Sequence, residues 1–327
     1  MQTLWESTRA YTLLKADGER GRFNHAYLLL LDDARNLKNA LKAFAKVLFS
    51  CDEASTPAQK RVAGLIDSES FSDCLFYPEA EKKFVVEDAE RVVEECMLQP
   101  VEGSKKVFVI GDFAEATVAA QNKLLKLLEE PPRGVIFLLG ATTAFPVLST
   151  VLSRVKKAEI PPFSTEEIAA CLARLYAQRY AADEYTLCAA ASGGCLGSAQ
   201  GMLEGGAYKT LIDDAFSLCL TPPSGLPALV KRIGETKRNK ELLSLLRLVF
   251  RDALLVKTGV SGSRVFLRAE ALRLSRVAER FSVRALVSAQ DLIGKAERET
   301  FSTRCFRSVW KRCSQGSLNV HKIQINV

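Results

Sequence analysis

The sequence predicts an α/β domain with a parallel sheet, followed by a helical region. In the first half of the chain, short apolar runs alternate with segments of helical spacing, which is the pattern of strands covered on both faces by helices. After Pro161 and Pro162 the strand pattern stops and helical spacing continues. Hydrophobic residues make up 48% and charged residues 25% of the 327 residues, which is typical of a globular protein and excludes disorder as the main state.

Four short apolar runs and one closing segment before Pro161 predict the strands of the sheet. They cover residues 25–31, 75–77, 106–111, 135–139 and 157–160. The segments between them predict helices over residues 37–49, 59–66, 86–97, 117–130 and 147–152. Pro131 and Pro132 end the fourth of these helices, because proline lacks a backbone N–H and clashes with the preceding turn. Such alternation favours a parallel sheet that is covered by helices on both faces.

The second half of the chain is predicted to be helical. Its first helix, over residues 164–180, begins with a capping-box pattern of Ser164 and Glu167. Later helices are predicted over residues 227–234, 239–257, 266–280, 282–299 and 303–313. Looser connections at residues 192–197 and 220–225 separate them. We therefore expect an α/β domain over residues 1–162, a small helical domain over 163–206 and a third, helical domain over 207–327.

Cysteine and histidine usage argues against a disulfide framework and a histidine-based site. The nine cysteines include no C-x-x-C pair, and His25 and His321 are the only histidines. The apolar runs are far too short to span a bilayer, and the first ten residues carry Glu6 and Arg9 where a signal peptide has an apolar core. We expect reduced cysteines, a cytoplasmic location and no membrane contact.

The net charge of +7 is distributed unevenly along the chain. Residues 207–327 contain 22 basic and 10 acidic residues, whereas residues 1–206 contain 23 basic and 28 acidic ones. Two consecutive predicted helices carry many of the arginines, namely Arg264, Arg268, Arg273, Arg276, Arg280 and Arg284. Such a basic region can contact nucleic acid or an acidic partner, or it can form solvated helix faces. An apolar stripe in the same region suits either subunit packing or a monomer core; it consists of Leu242, Leu245, Leu246, Val249 and Leu254.

Three stretches of the chain resemble one family. They are Gly21 to Leu28 (GRFNHAYL), Ala119 to Pro132 (AAQNKLLKLLEEPP) and Leu152 to Arg154 (LSR). In these stretches, and in their order and spacing, the sequence is similar to delta-prime subunits of the bacterial DNA polymerase III clamp loader, a branch of the AAA+ superfamily. The resemblance covers residues 10–206, and the last third matches in helical character alone. It implies an α/β parallel-sheet AAA+ domain with a helical lid, followed by an all-α collar domain.

The resemblance implies a nucleotide-binding loop after the first strand, but the residues there do not suit ATP. Such a loop needs glycines whose N–H groups surround the phosphates, a lysine, and a Ser/Thr hydroxyl for Mg²⁺. The degenerate positions in this chain are Leu31, Ala34, Asn36, Leu37 and Lys38. The loop contains no glycine, Leu37 stands where the lysine belongs, and Asp32 and Asp33 would repel a triphosphate. The alternative is a shifted, working loop that uses Lys38.

Three other parts of an ATP site are altered at the positions that the resemblance assigns. Gly111-Asp112 replaces the Asp-Glu pair that binds Mg²⁺ and activates water, and Ser198 replaces a phosphate-sensing arginine. The candidates for the polar residue after the next strand are Gly140, Ala141, Thr142 and Thr143. Together with the loop, these changes predict a chain that neither binds nor hydrolyses ATP productively.

The zinc-binding cysteines of the family are missing as well. Cys51 and Cys74 alone fall in the expected region, and 22 residues separate them. Two isolated cysteines do not provide a closed tetrahedral site. We expect neither zinc nor any other metal or cofactor.

One chemical element of the family persists as Ser153-Arg154, followed by Val155 in place of a cysteine. The resemblance implies that Arg154 reaches across a subunit interface to the γ-phosphate of ATP held by a neighbour. A planar, permanently charged guanidinium neutralises the charge that develops during phosphoryl transfer, and such arginine fingers contribute about 10³–10⁵ in rate. The other interpretation of a lone arginine, which stays open at this point, is a surface residue paired with a nearby acid.

The sequence thus favours a delta-prime-type subunit without catalysis of its own. By resemblance, its partners are gamma/tau-type ATPase subunits and delta, and the sliding clamp and primed DNA through the complex. Two alternatives remain open. One is an ATP-binding clamp-loader subunit that uses Lys38 and Asp112, and the other is a stand-alone DNA-binding protein that uses residues 207–327.

Overall fold

The computed structural model describes residues 2–53, 56–78, 83–204, 207–222, 224–234, 239–260 and 265–298. The chain forms two compact units, Met1–Pro162 and Phe163–Val327. The domain limits expected from the sequence, including the division after residue 206, stay predictions.

The first unit contains a five-stranded parallel sheet. Its strands are β1 (Ala26–Leu30), β2 (Cys74–Tyr77), β3 (Lys106–Asp112), β4 (Val135–Ala141) and β5 (Lys156–Glu159). In space they follow the order β2-β3-β4-β1-β5, and each neighbouring pair is parallel. The predicted α/β parallel sheet is therefore confirmed, with strand ends shifted by one or two residues.

Seven helices accompany the sheet in the described part of the first unit. They are α1 (Gln2–Glu6), α2 (Arg9–Glu19), α3 (Leu37–Leu48), α4 (Pro57–Asp67), α5 (Val86–Glu95), α6 (Val118–Glu129) and the short α7 (Ser149–Leu152). The sequence pattern predicts α3 to α7 but neither α1 nor α2. A Thr56–Gln59 capping box begins α4, with Pro57 in its first turn, where proline is tolerated because no N–H is needed.

Side chains alternate between the two faces of the sheet, and each face has its own core. On one face, Phe108 and Phe137 stack with ring centroids 5.6 Å apart, beneath the leucines of α6. On the other face, α3 packs so closely on β4 that a Cβ at Gly140 would lie 2.7 Å from Leu41 Cδ1. The central strands β1, β3 and β4 are thus buried on both sides, as their continuous apolar runs predict.

The second unit is helical throughout its described residues. Its helices are α8 (Thr165–Leu175), α9 (Ala182–Ala191), α10 (Leu196–Glu204), α11 (Ala207–Leu220), α12 (Leu226–Gly234), α13 (Asn239–Lys257), α14 (Ala271–Arg280) and α15 (Val283–Arg298). The predicted helical character of this half of the chain is confirmed. Most of the apolar stripe on α13 is core, because Leu242, Leu245, Leu246 and Val249 are buried. The predicted helix over residues 303–313 lies outside the described residues, as do Arg264, Cys305, Cys313 and His321.

Two helices of this unit are shorter than predicted. The capping box of Ser164 and Glu167 begins α8 as expected, but the helix ends at Leu175 because Ala177 and Gln178 adopt left-handed φ values of 45° and 59°. The segment before α14 is a single 3₁₀ turn, Arg268–Glu270. Just before this turn, the buried Asp252 carboxylate accepts the backbone N–H groups of Phe266 and Leu267, both at 2.8 Å.

None of the helices in the part of the chain that the structure describes is both long and apolar enough to cross a membrane.

Candidate functional site

The degenerate positions of the predicted nucleotide site meet at the carboxyl edge of the sheet. The strands β1, β3 and β4 end there side by side, and in open α/β sheets ligands bind outside this edge. The Leu31 N–H donates to the Ala141 carbonyl oxygen at 3.0 Å, which joins the loop after β1 to the end of β4. The structure therefore brings together residues 31–38, Gly111-Asp112 and residues 140–143.

The loop after β1 is organised around its own carboxylate. Asp33 is 4% exposed and Asn36 is 1% exposed. The Asp33 carboxylate accepts the Asn36 backbone N–H at 3.1 Å and the Asn36 side-chain amide at 2.8 Å. In a nucleotide-binding loop, backbone N–H groups at this place point to phosphate. Here one of them is already bound to an anion of the chain itself.

Lys38, the candidate for a shifted phosphate-binding lysine, forms an ion pair outside the loop. Its Nζ lies 2.8 Å from Glu69 Oε2, and the Nζ of Lys42 lies 2.8 Å from the other carboxylate oxygen. Partial burial acts to raise the pKa of Glu69, but the two ammonium groups outweigh it and hold that pKa below its ordinary value. The positive charge of Lys38 is therefore neutralised by Glu69 at the end of α4.

The remaining carboxyl-edge positions show weak polar contacts and tight packing. Asp112 lies at a register shift of β3, where its carboxylate is 3.4 Å from both the backbone nitrogen and the hydroxyl of Thr142. Gly140 contacts Leu41 of α3 too closely for any side chain. The predicted sensor position in the second unit, Ser198, lies half-buried on α10.

Arg154 is held at the end of α7 by three acceptors. Its Nη1 donates to the Thr150 carbonyl oxygen at 2.7 Å and to the Ser153 hydroxyl at 3.1 Å. Its Nη2 lies 2.6 Å from Glu129 Oε1 at the carboxyl end of α6. In this structure Arg154 thus has an acidic partner, as the second interpretation of a lone arginine supposes. The side chain nevertheless keeps 33% of its surface exposed.

The cleft around Arg154 lies at the opposite edge of the sheet from the loop after β1. It is lined by Asn24 and His25, which precede β1, and by Lys156, which begins β5. Within the described residues, the buried His25 Nε2 has no hydrogen-bond partner. The five residues of β1 separate the two edges by about 13 Å at about 3.3 Å per residue. Arg154 therefore cannot act on a ligand bound at its own carboxyl edge.

The cysteines at the expected zinc position are buried thiols. Cys51 and Cys74 are both 1% exposed, and burial raises the pKa of Cys51 to about 11 and that of Cys74 still further. Zinc binds the thiolate, which such a pKa disfavours. The described residues include no cluster of three or more His, Cys, Asp or Glu side chains that could hold a metal.

The sequence pattern does not assign roles to two polar residues of α6, Gln121 and Glu129. Gln121 is 1% exposed; its Oε1 accepts the Leu148 N–H at 2.9 Å and its Nε2 donates to the Pro146 carbonyl oxygen at 3.3 Å. The sequence could have indicated the buried role of Gln121, because this polar residue precedes Leu124 and Leu128 at helical spacing and so lies on the leucine face of the helix. Both residues lie in the stretch that carries the family resemblance.

The match to known proteins covers the first unit. Residues 6–164 match the family described as "DNA polymerase III, delta subunit". This part of the chain matches that family model, so the predicted resemblance to DNA polymerase III clamp-loader subunits is confirmed for it. The delta-prime type, the loss of ATP binding and the role of Arg154 stay predictions.

Several curated proteins are similar to about half of the chain. The DNA polymerase III subunit gamma of Buchnera aphidicola is 27% identical over 158 residues, which cover 47% of this chain and 42% of that protein. The tau/gamma subunit of Haemophilus influenzae is 30% identical over 160 residues, covering 48% and 23%. The tau subunit of Escherichia coli is 29% identical over 167 residues, covering 50% and 26%. The chain thus spans less than half the length of these relatives.

Solved structures give weaker likenesses. A gamma subunit-related protein of Thermotoga maritima aligns with 95% of this chain and 100% of its own, with a TM-score of 0.41 and 15% identity. A clamp loader delta protein of Bacillus subtilis aligns with 92% of this chain and 98% of its own, with a TM-score of 0.34 and 10% identity. The family assignment depends on the sequence match alone.

Proposed function

We propose that this chain is a delta-prime-type subunit of the DNA polymerase III clamp loader that does not hydrolyse ATP. It supplies Arg154 to ATP held by a neighbouring subunit and provides a rigid scaffold for the loading of the sliding clamp onto primed DNA. Its partners are then gamma/tau-type and delta-type subunits, and it needs neither a metal nor a nucleotide of its own.

The observation that carries this proposal is the occupied loop after β1. A triphosphate seated there would meet the buried Asp33 carboxylate in place of a free backbone N–H group. Like charges at close range in a partly buried site repel by several kcal/mol, roughly 4 kcal/mol at 4 Å with an effective dielectric constant of 20. The lysine that could offset this charge, Lys38, is paired with Glu69. Productive ATP binding at this edge is therefore disfavoured.

The position of Arg154 supports action on a neighbour. It lies at the amino edge of the sheet, on the surface, and the length of β1 separates it from the carboxyl edge of its own domain. An arginine finger needs an exposed guanidinium with donors available for phosphate oxygens. Because its own carboxyl edge is out of reach, the ATP that Arg154 contacts must belong to another chain.

The loss of ATP binding is tested with the isolated chain and a fluorescent ATP analogue. We expect no saturable, Mg²⁺-dependent binding at micromolar concentrations. Micromolar binding that Lys38→Ala abolishes would contradict the proposal and favour the ATP-binding alternative. Lys60→Ala serves as the matched control, since Lys60 is an exposed lysine on α4 of the same unit.

The role of Arg154 is tested in the reconstituted complex. Arg154→Ala should leave assembly unchanged but lower ATP hydrolysis at the neighbour's site by about 10³-fold, the lower end of the contribution of an arginine finger. Arg133→Ala is the matched control, because Arg133 is an exposed arginine of the same unit. Wild-type DNA-stimulated hydrolysis by the Arg154→Ala complex would remove the finger role.

A further inference from the structure

We propose that Glu129 is a positioning residue that orders the Arg154 side chain for its action on a neighbour. The inference rests on the proposed function of Arg154. It assigns a role to Glu129 at the carboxyl end of α6. Without this role, Glu129 would be an exposed helix-terminal residue that only contacts water.

The contact geometry fixes the guanidinium from two elements. Thr150 and Ser153, on and just after α7, accept from Nη1, and Glu129 of α6 binds Nη2 with an N–O distance of 2.6 Å. Because the acceptors come from different helices, the side chain is bridged between α6 and α7. Removal of Glu129 leaves both remaining contacts on the local chain of Arg154 itself.

The arrangement leaves donors for an incoming anion. A guanidinium carries five N–H groups. Thr150, Ser153 and Glu129 account for three of them, so two have no partner among the described residues. A phosphate oxygen can bind these two while the ion pair keeps the side chain in place.

Because both side chains are partly exposed, the ion pair between Glu129 and Arg154 orders the arginine side chain without holding it permanently in place. The side chain of Glu129 is 49% exposed and that of Arg154 is 33% exposed. Ion pairs this accessible to water are weak. A long, flexible arginine otherwise loses considerable rotamer entropy when it docks on phosphate, and the ion pair removes part of that loss in advance.

The experiment compares Glu129→Gln, Glu129→Asp and Glu130→Gln in the full-length chain and in the reconstituted complex. Glu130 is the matched control, because it is the adjacent exposed glutamate and has no ion pair among the described residues. The first readout is the rate at which phenylglyoxal modifies Arg154 in the isolated chain, measured by peptide mass spectrometry with Arg133 as the internal reference. The second is the split between kcat and KM of DNA-stimulated ATP hydrolysis by the complex.

We expect Glu129→Gln to accelerate modification of Arg154 and to lower kcat, each by about twofold to fivefold, the rate equivalent of an exposed ion pair. KM for ATP and subunit assembly should stay at wild-type values, Glu129→Asp should recover part of the loss, and Glu130→Gln should match wild type. A wild-type kcat for Glu129→Gln, in a complex that Arg154→Ala impairs, would overturn the inference alone. A loss of assembly in Glu129→Gln would overturn it too, since Glu129 would then be an interface residue. A wild-type rate for Arg154→Ala would overturn the proposed function, and the inference with it.

Discussion

Single side chains decide what the carboxyl edge of the sheet can bind. Asp33 occupies the loop after β1, Glu69 pairs with Lys38, and Gly140 is packed against Leu41. Each of these contacts satisfies a group that a nucleotide site would need to keep available. These contacts thus stabilise the carboxyl edge of the sheet, and among the described residues they leave no groups there in the arrangement that a nucleotide would need.

Asp33→Ala should destabilise the chain, because it removes the buried carboxylate that accepts the side-chain amide of Asn36 and shares the Asn36 backbone N–H with the Asp33 carbonyl oxygen. We expect a loss of about 1–3 kcal/mol in the free energy of unfolding, measured by urea denaturation. The neighbouring Asp32→Ala is the control and should change stability by less than about 0.5 kcal/mol, since Asp32 is exposed. Equal effects of the two substitutions would contradict the structural role of Asp33.

Glu69 should make the stability of the first unit depend on pH. Its pKa in the folded chain is below the ordinary value of 4.5, so its ion pairs stabilise fully above that value and lose their effect as the pH falls through the folded-state pKa. Glu69→Gln should therefore lower the free energy of unfolding at pH 7 by up to about 1 kcal/mol, as for exposed ion pairs. The difference from wild type should shrink as the pH falls below 4.5 in urea titrations. A difference that is independent of pH would show that the ion pairs contribute nothing.

At the scale of elements, α6 connects the core to the segment that carries Arg154. Its buried Gln121 binds the backbone of residues 146–148, which lead into α7, and its last residue, Glu129, binds Arg154 itself. The helix therefore positions the short α7 at both ends, although α7 has only four residues and cannot be stable alone.

Gln121→Leu should loosen the start of α7 while it preserves the apolar packing of α6. The Leu148 N–H would lose its acceptor, and we expect its amide hydrogen exchange to accelerate by about tenfold, which corresponds to about 1.4 kcal/mol of local stability. Amide exchange with mass spectrometry locates the change. The exposed neighbour Asn122→Ala should leave exchange at residues 146–152 unaltered, and protection of this segment in Gln121→Leu would refute the connection.

Two predicted helices are shorter in the structure than the sequence pattern suggests. The helix predicted over residues 266–280 begins only at Ala271, after a 3₁₀ turn, and the Asp252 carboxylate of another helix accepts the N–H groups of Phe266 and Leu267. Helix α8 ends early because Ala177 and Gln178 adopt left-handed conformations. Neither is a glycine or an asparagine, the residues that usually indicate such a helix end. Local patterns contain neither piece of information, whereas the five strands, four of which are apolar runs, are predicted to within two residues.

At the scale of the whole molecule, some of the arginines in the last third of the chain already bind acceptors within the chain itself. Arg273 pairs with Asp213 at 2.7 Å and with Glu270 at 3.2 Å, and Arg280 donates to the carbonyl oxygens of Leu220 and Thr221. Within the described residues, Arg276 and Arg284 are exposed and have no such partner. The excess of basic residues therefore overstates the charge that is available to DNA.

Non-specific DNA binding by the isolated chain at low salt should depend on Arg276 and Arg284 more than on Arg273 and Arg280. The double variant Arg276→Ala/Arg284→Ala should reduce the slope of log K against log salt by about 2, roughly 0.9 for each phosphate that an arginine no longer neutralises. Fluorescence anisotropy between 50 and 200 mM salt measures this slope. Arg273→Ala/Arg280→Ala is the matched pair, and an equal reduction by that pair would contradict this division of the arginines.

The sequence predicts which residues make up the candidate site, but it does not predict which contacts they form. The missing glycines after β1, the replaced acidic pair and Ser153-Arg154 all follow from residue types at family positions. The ion pairs of Lys38 with Glu69 and of Arg154 with Glu129 do not, because each joins helices whose relative placement depends on the whole sheet. The same holds for Asp33, whose burial distinguishes it from the exposed Asp32 beside it.

The close approach of Gly140 to Leu41 restricts the mutational paths open to this edge of the sheet. A side chain at position 140 would overlap the buried side chain of Leu41, so we expect it to be tolerated better once position 41 has become smaller. We therefore expect the two positions to be epistatic, because a side chain at 140 disturbs the packing less when the substitution at 41 comes first. Random mutagenesis of either codon alone would miss the double changes that a paired library recovers.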